Sequence, residues 1–514
     1  MTAPAVQWTG KPTPAEVRAV AAATPPARPR ERGGWWALVP ALAATALAWW
    51  GLESRDLWND ELVTWHATSL SPGQFRMLIG NIDLVHAFYY LIISAVTAVA
   101  GDSVTVLRLP SVLAIGASAG LIGLIGRRLF DTPVGVLAGL LFALLPAVSR
   151  YAQEARSYAL VTLAAVAATW LFLRAVDRPT RGRWWAYGVL LVLVGWLHFV
   201  ALLVVAAHLL YLWRAVPGEE PRWRWSATVG IAGLFILPLL LLGSRQSGQI
   251  SWVKNDGDAV LRFLENLTGT MAALVVAGLL AVLAVAVAGP RRRPAVLMLV
   301  VWALLPPFAG YLTFAWLHLF LARYFLFTVP AWTLLAAFGV CQSLRLLTRD
   351  RLPAVWLVGA LLLLPVAAWQ GLPAQEKVRS NEADGQPRYL DAVRYLGQQV
   401  KPGDGVAFND GFGGSSDVAR KAVNYGLRDQ LQPRDVFVAV PARETGWLTA
   451  RECKVPTVCL GGTKRLWLVE TGHLNDPLAG MPPAREGLLR QKFLIKHVER
   501  FDRVRVVLLE RKPA

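Results

Sequence analysis

The sequence predicts a polytopic all-α membrane bundle followed by a small α/β domain outside the membrane. Three observations predict it. Of 514 residues, 55% are apolar and only 17% charged, where a soluble domain carries about 25% charge. The apolar residues gather between positions 35 and 370 in runs of roughly 17 to 24, each long enough to cross a hydrocarbon layer about 30 Å thick. Much of the net charge of +18, from 52 basic and 34 acidic residues, falls in the short gaps between runs. A soluble enzyme, a disordered chain and a β-barrel are excluded. The placement of the basic residues also argues against nucleic acid as partner, because in such gaps they fix orientation.

Residues 1–34 combine Pro4, Pro12, Pro14, Pro25, Pro26 and Pro29 with Arg28, Arg30 and Arg32. They read as a disordered cytoplasmic tail; no cleavage site follows the first apolar run, so a signal peptide is not expected. The membrane unit covers 35–370. Its basic gaps are Arg127-Arg128, Arg174 to Arg183, Arg214 to Arg224, Arg291 to Arg293 and Arg345 to Arg351. If all are cytoplasmic, an even number of crossings separates neighbouring gaps. The runs 133–149 with 156–174, 184–198 with 199–213, 226–243 with 267–288 and 295–315 with 320–342 satisfy that parity. Before Arg127 there are three runs, 35–51, 84–100 and 105–126. Parity requires that one does not cross. The run 84–100 is short, has His86 near its start and ends at Gly101-Asp102, so it is expected to lie in the outer interface. With a last crossing at 353–369 the total is about 11 spans, and residues 371–514 end outside.

That C-terminal segment has ordinary charge and alternating elements. Residues 388–400 read as a helix; Gly405–Asn409, Val436–Val440, Arg465–Glu470 and Val504–Leu509 read as strands. Asp410-Gly411-Phe412-Gly413-Gly414 faintly echoes a phosphate loop but lacks the full glycine pattern, and a plain turn is the better reading. Cys453 and Cys459 are candidates for a disulfide on the outer side. Cys341, in a span, reads as inert packing.

The same orientation gathers polar residues at the outer face: Asp56, Trp58, Asn59, Asp60 and Glu61, then Asn81, Asp83, His86 and Arg108. The stretch Arg150 to Tyr158, with Glu154 and Arg156, joins two spans. His198 falls at a hairpin, Lys254 and Asp256 in the loop 244–266, and Arg323-Tyr324 at the start of a span. Ionisable groups at the membrane boundary are costly and therefore functional candidates. Each has a plainer reading. Arg108 and Arg323 could reach lipid head groups, His198 could be a satisfied interfacial histidine, Asp60-Glu61 a helix start, and Glu154 with Arg156 a structural pair. Together they suit a substrate with a phosphate and a hydroxyl: a carboxylate can take the hydroxyl proton and arginine can hold a departing phosphate.

Leu57-Trp58-Asn59-Asp60-Glu61 resembles the W-x-D-E signature in the first outer loop of GT-C glycosyltransferases. More closely it resembles family 39, the protein O-mannosyltransferases and the aminoarabinose transferases of lipid A. Asp83 to Tyr90 resembles their D-x-H-P-P-L-Y-Y segment, Arg108-Leu109-Pro110-Ser111 their R-L-P-S, and Gln153 to Tyr158 their A-R-x-Y stretch. Trp196-Leu197-His198-Phe199 resembles a T-H-Y/F pattern and Arg323-Tyr324 an R-Y opening a late span. The likeness covers about residues 50–330. Val85-His86-Ala87-Phe88 lacks the prolines after the histidine, and Leu197 replaces the threonine.

The resemblance implies a GT-C bundle with helices on the lipid surface in the first outer loop. It implies a polyprenyl-phosphate monosaccharide as donor, mannose first, transferred with inversion at the plasma membrane to a protein, glycan or lipid hydroxyl. Asp60 would be the general base and Glu61 its catalytic neighbour. His86, Glu154, Tyr158, His198 and Tyr324 would line the donor and acceptor sites. Arg156, Arg108, Lys254 and Arg323 would be candidates for the phosphate. Asp60, Glu154 and His198 could converge on a divalent metal, but the sequence has no tight ligand spacing and an obligatory metal is not expected. A transporter or flippase of a lipid-linked sugar is the main rival; it would require polar residues through the bilayer depth and internal repeats, and the spans carry neither.

Overall fold

The computed structural model describes residues 34–250, 259–268, 271–349, 351–381, 387–409, 417–472 and 475–513. The stretch 410–414 and the loop residues Lys254 and Asp256 lie outside these. Among the described residues, seven helical stretches are long and apolar enough to cross a membrane, and an eighth is bent by 67° between Thr132–Leu144 and Pro146–Ala152. The bend falls where Pro146 leaves the Phe142 carbonyl region and restarts the helix.

One apolar stretch, Arg181–Ala215, is not a single leg. Tyr187 donates or accepts at 2.9 Å with His208 Nδ1. A straight helix would hold them about 30 Å apart. The chain therefore turns back through the 3-10 segment Phe199–Leu203, between the helices Arg181–His198 and Val204–Ala215. Stacking of Phe172 on His208 holds the returning leg at mid-depth. This is the hairpin expected at His198.

The helix Ala87–Ala100 starts and ends in one layer. At its start Tyr90 and His86 meet Arg156. Just beyond its end Asp102 accepts from Trp65 Nε1 at 2.8 Å and from Arg428 Nε at 2.9 Å. The helix on one face and the reversal at 199–203 are the two features that the charge pattern asks for. The opposite face is fastened by carboxylates among the basic gaps: Asp131 takes Arg345 at 2.5 Å, and Asp177 takes Arg128.

Helix Val104–Leu129 begins with Ser103, whose hydroxyl accepts from Val106 N, and Thr132–Leu144 begins with Asp131, whose carboxylate accepts from Val134 N. The two pack backbone to backbone through Gly123, Gly126 and Gly135. A methyl on Gly126 would sit 2.6 Å from the Gly135 Cα. Such close approach is what small residues provide between membrane helices.

The C-terminal domain is a five-stranded sheet in the order β2-β1-β5-β7-β6, with a separate β3-β4 pair. The strands are β1 Gly405–Asn409, β2 Arg434–Asp435, β3 Val438–Val440, β4 Arg451–Glu452, β5 Arg465–Thr471, β6 Phe493–Phe501 and β7 Val504–Arg511. The expected strand 436–440 is split, because Phe437 N bonds to the Asp435 carboxylate and leaves the ladder. β1 is parallel to β2 and β5, and β7 is antiparallel to β5 and β6. Strand alternation divides the sheet cleanly. Val406, Phe408, Trp467, Val469, Val504 and Val506 join the core shared with the bundle. Ala407, Leu466, Leu468, Val507 and Leu509 face a second core with Leu488 and Leu489. Cys453 and Cys459 are bonded as a disulfide, and Cys341 is a buried free thiol.

The domain is fastened to the first outer loop. Asp56 accepts from Leu390 N at 2.9 Å, its own N–H donates to Asn381, and Asn81 donates to the Gly446 carbonyl. Tyr425 packs edge-on to Trp65 at 5.2 Å. Gly135→Ala is expected to lower the yield of folded, detergent-extracted protein and its Tm, because the added carbon meets the Gly123 carbonyl. Gly182→Ala, with open space around it, should leave both unchanged; thermal unfolding of the two variants checks this.

Candidate active site

Helix Asn59–Thr68 carries the acidic pair. Neighbours on a helix point about 100° apart, and here the two carboxylates have opposite fates. Glu61 is fully buried. It accepts from Arg108 Nε at 2.8 Å and Nη2 at 2.7 Å, from Ala155 N at 2.9 Å and from Trp58 N at 3.3 Å. Arg108 spends its remaining donors on the carbonyls of Leu52, Arg55 and Asp56. This corrects two expectations. Arg108 is no phosphate ligand, since every N–H direction is taken by the protein. Glu61 has no lone pair left for a substrate; it positions the loop.

Asp60 is the open member. Its carboxylate makes no hydrogen bond with the described residues and stands 4.0 Å from Arg156 Nε and 4.0 Å from Arg323 Nη2. Arg323 also lies over the Trp58 ring at 5.5 Å and beside Tyr324. Arg156 donates to His86 Nε2 at 3.0 Å and approaches Tyr90 Oη at 3.4 Å, while Tyr90 donates to Asp83 at 2.7 Å. Burial first, then the Arg156 guanidinium, holds His86 well below the usual histidine range, so its Nε2 accepts. Burial pushes Asp83 up. Asp83 takes the left-handed conformation at φ 62°, turning the chain into the helix that follows. The aromatic side of the site is made by His198, whose ring is 4.8 Å from Tyr324 and 6.4 Å from Tyr158.

The segment 153–157 is held by its backbone. Ser111 donates to the Glu154 carbonyl, Thr64 to the Ala155 carbonyl and Arg55 to the Gln153 carbonyl. The Glu154 side chain is buried, yet neither oxygen has a hydrogen-bond partner among the described residues. It does not pair with Arg156, so the plain ion-pair reading of 154 and 156 fails. Burial pushes its carboxyl up to about 7. Among the described residues no three His, Cys, Asp or Glu side chains are grouped to hold a metal ion. Asp60, Glu154 and His198 therefore do not converge as a ligand set. Lys254 lies outside the described residues.

Asp83, Tyr90 and Lys421 belong to the site's surroundings; Asp83 is gathered with the outer-face polar residues but given no role, and Tyr90 and Lys421 are not among the candidates. Asp83 and Tyr90 stand in the quoted 83–90 segment, seven residues apart across a turn and a helix start. Lys421 comes from the C-terminal helix Asp417–Gly426, buried beside Asp83 and His66; no local pattern marks it.

Residues 87–242 match the family model described as dolichyl-phosphate-mannose-protein mannosyltransferase. No curated protein sequence matches the chain significantly. Among solved structures, ArnT from Cupriavidus metallidurans bound to undecaprenyl phosphate superposes with a TM-score of 0.60 at 15% identity, over 93% of this chain and 98% of that one. The chain has the ArnT fold. Apo ArnT gives 0.59 at 14% identity, over 92% and 97%. An oligosaccharyltransferase from Archaeoglobus fulgidus is a weaker likeness, 0.46 at 15% identity over 73% and 59%. The ArnT likeness spans the C-terminal sheet as well as the bundle, because it extends over nearly the whole chain.

Two outcomes are expected. Arg108→Met leaves the Glu61 charge buried without its partner and should cost about 3–5 kcal/mol, read as a large fall in Tm with loss of folded yield. Glu154 holds its proton more tightly folded than unfolded, so its ionisation lowers stability as pH rises from about 4 to 7. Glu154→Gln should therefore stabilise the fold at pH 8 by on the order of 3 kcal/mol, read as a higher Tm, and leave it unchanged at pH 4; unfolding curves at the two pH values check the sign.

Proposed function

We propose that the protein is a glycosyltransferase that moves a monosaccharide, mannose or a similar hexose, from a polyprenyl-phosphate carrier to an acceptor hydroxyl, with inversion. The observation that carries the reading is Asp60: an unshared carboxylate flanked at 4.0 Å by two guanidinium groups. A base and a double cation at one point suit a reaction in which a hydroxyl loses a proton while a phosphate gains charge. The family match over 87–242 and the likeness to ArnT, whose structure holds undecaprenyl phosphate, support the same reading.

In this mechanism Asp60 takes the proton of the acceptor hydroxyl. The oxygen attacks the anomeric carbon from the face opposite the phosphate. The bond from that carbon to the phosphate oxygen breaks, and the electron pair leaves with the polyprenyl phosphate. Arg156 and Arg323 hold the added negative charge. His86 keeps Arg156 in place by accepting from it. Glu61 and Arg108 fix the loop that presents Asp60. The acceptor is a hydroxyl of a protein, glycan or lipid. The reaction takes place on the extracytoplasmic face of the plasma membrane, with the N-terminus cytoplasmic and the sheet domain outside. The basic gaps gathered on the opposite face and the disulfide in the sheet domain support that orientation. The two arginines supply the positive charge, so no metal is required.

Asp60→Asn should lower turnover of a synthetic polyprenyl-phosphate mannose by about 10²–10⁴-fold while donor binding stays within a few-fold. A variant that transfers sugar like the wild type would remove Asp60 from the chemistry. A strong chelator should leave wild-type turnover within about twofold; abolition, restored by added divalent ion, would overturn the metal-free reading.

A further inference from the structure

Buried polar atoms in folded proteins nearly always have a hydrogen-bond partner, and exceptions call for an explanation. Around Asp60 the exceptions accumulate. Both oxygens of Glu154, the Tyr89 hydroxyl, Trp58 Nε1 and His198 Nδ1 are all buried without a partner among the described residues. These side chains come from four separate segments that the fold brings to one place. Trp58 lies under Arg323, His198 lies against Tyr324 and Tyr158, and Arg323 stands beside Asp60. Glu154 feels the charges of Arg323 and Glu61, and Tyr89 those of Arg156 and Glu154.

The set has a definite chemistry. It offers a carboxylate with two open acceptors, a phenol, an indole N–H and an imidazole nitrogen, bordered by aromatic rings. A phosphate would seek cations, and those stand to one side at Arg156 and Arg323. An isoprenoid would seek no polar atoms at all. Vicinal hydroxyls on a pyranose ring fit: each donates to a carboxylate oxygen, while the ring's C–H face lies on aromatic carbon.

We propose that Trp58, Tyr89, Glu154 and His198 form a subsite that reads the hydroxyls of the donor sugar, with the Glu154 carboxylate accepting from two of them. This rests on the transferase reading and adds a specificity-determining set to it. The subsite makes the sugar's hydroxyls necessary for binding, because a donor without them leaves the buried carboxylate unpaired.

The test is binding of two probes in detergent solution: a short-chain polyprenyl-phosphate mannose, and the same polyprenyl phosphate without sugar. Wild type should bind the sugar-bearing lipid more tightly. Glu154→Gln should weaken it about ten- to hundredfold and leave the bare lipid within about twofold; Tyr89→Phe should weaken it less, again without touching the bare lipid. Equal weakening of both lipids by Glu154→Gln would make Glu154 a structural or phosphate-side group and overturn the subsite. So would unchanged affinity for the sugar-bearing lipid. Turnover of the mannosyl donor, followed in parallel, separates the two ideas. A wild type that turns the donor over but binds both lipids equally overturns the subsite alone. A wild type that binds neither lipid overturns the transferase reading and the subsite with it.

Discussion

The buried pair of Glu61 and Arg108 is the constraint on which the site depends. One carboxylate and one guanidinium, both removed from solvent, tie together four pieces of chain: the loop 52–58, the helix that follows it, the long helix Val104–Leu129 and the segment 153–157. Taking two charges out of water is repaid only when geometry and additional hydrogen bonds are complete. Here they are: backbone N–H groups of Ala155 and Trp58 complete the carboxylate, and three carbonyls complete the arginine. The consequence for chemistry is indirect and strict. With Glu61 turned inward, the helical rotation of about 100° turns Asp60 out toward the two other arginines.

Much of this was legible in the sequence, and the reasons differ by element. The spans were legible because apolar runs and basic gaps are one-dimensional signals, and parity needs only a count. The same parity identified both the fold-back at His198 and the short helix that stays on one face. The strands read at Gly405–Asn409 and Val504–Leu509 were legible because apolar residues dominate both. β6 was not, since Phe493–Phe501 is an edge strand with most of its side chains exposed and no alternation to read. Within the site, residue type and membrane depth pointed to Asp60, Arg156 and Arg323. They could not show that Arg108 is saturated, because saturation is set by carbonyls of a loop more than fifty positions away. Tyr89 and Tyr90 are adjacent and alike in sequence; only the fold sends one hydroxyl to Asp83 and leaves the other without a partner.

The electrostatics of the layer follow a division of labour. Positive charge near Glu61 is fully neutralised, which gives rigidity. Near Asp60 the guanidinium groups of Arg156 and Arg323 each stand 4.0 Å from its carboxylate. Two guanidinium groups against one carboxylate leave a net positive charge at that point, and the carboxylate between them keeps them from repelling each other apart. His86 and Tyr90 hold Arg156 by neutral contacts that do not cancel its charge.

The disulfide between Cys453 and Cys459 has a bearing on compartment. It belongs to the same sheet domain whose Arg428 and Tyr425 grip Asp102. That grip holds the domain on the face that carries Asp60, with no bilayer between them. The disulfide and the Asp60 carboxylate therefore face one solvent, and under the transferase reading proposed above that solvent would also supply the acceptor.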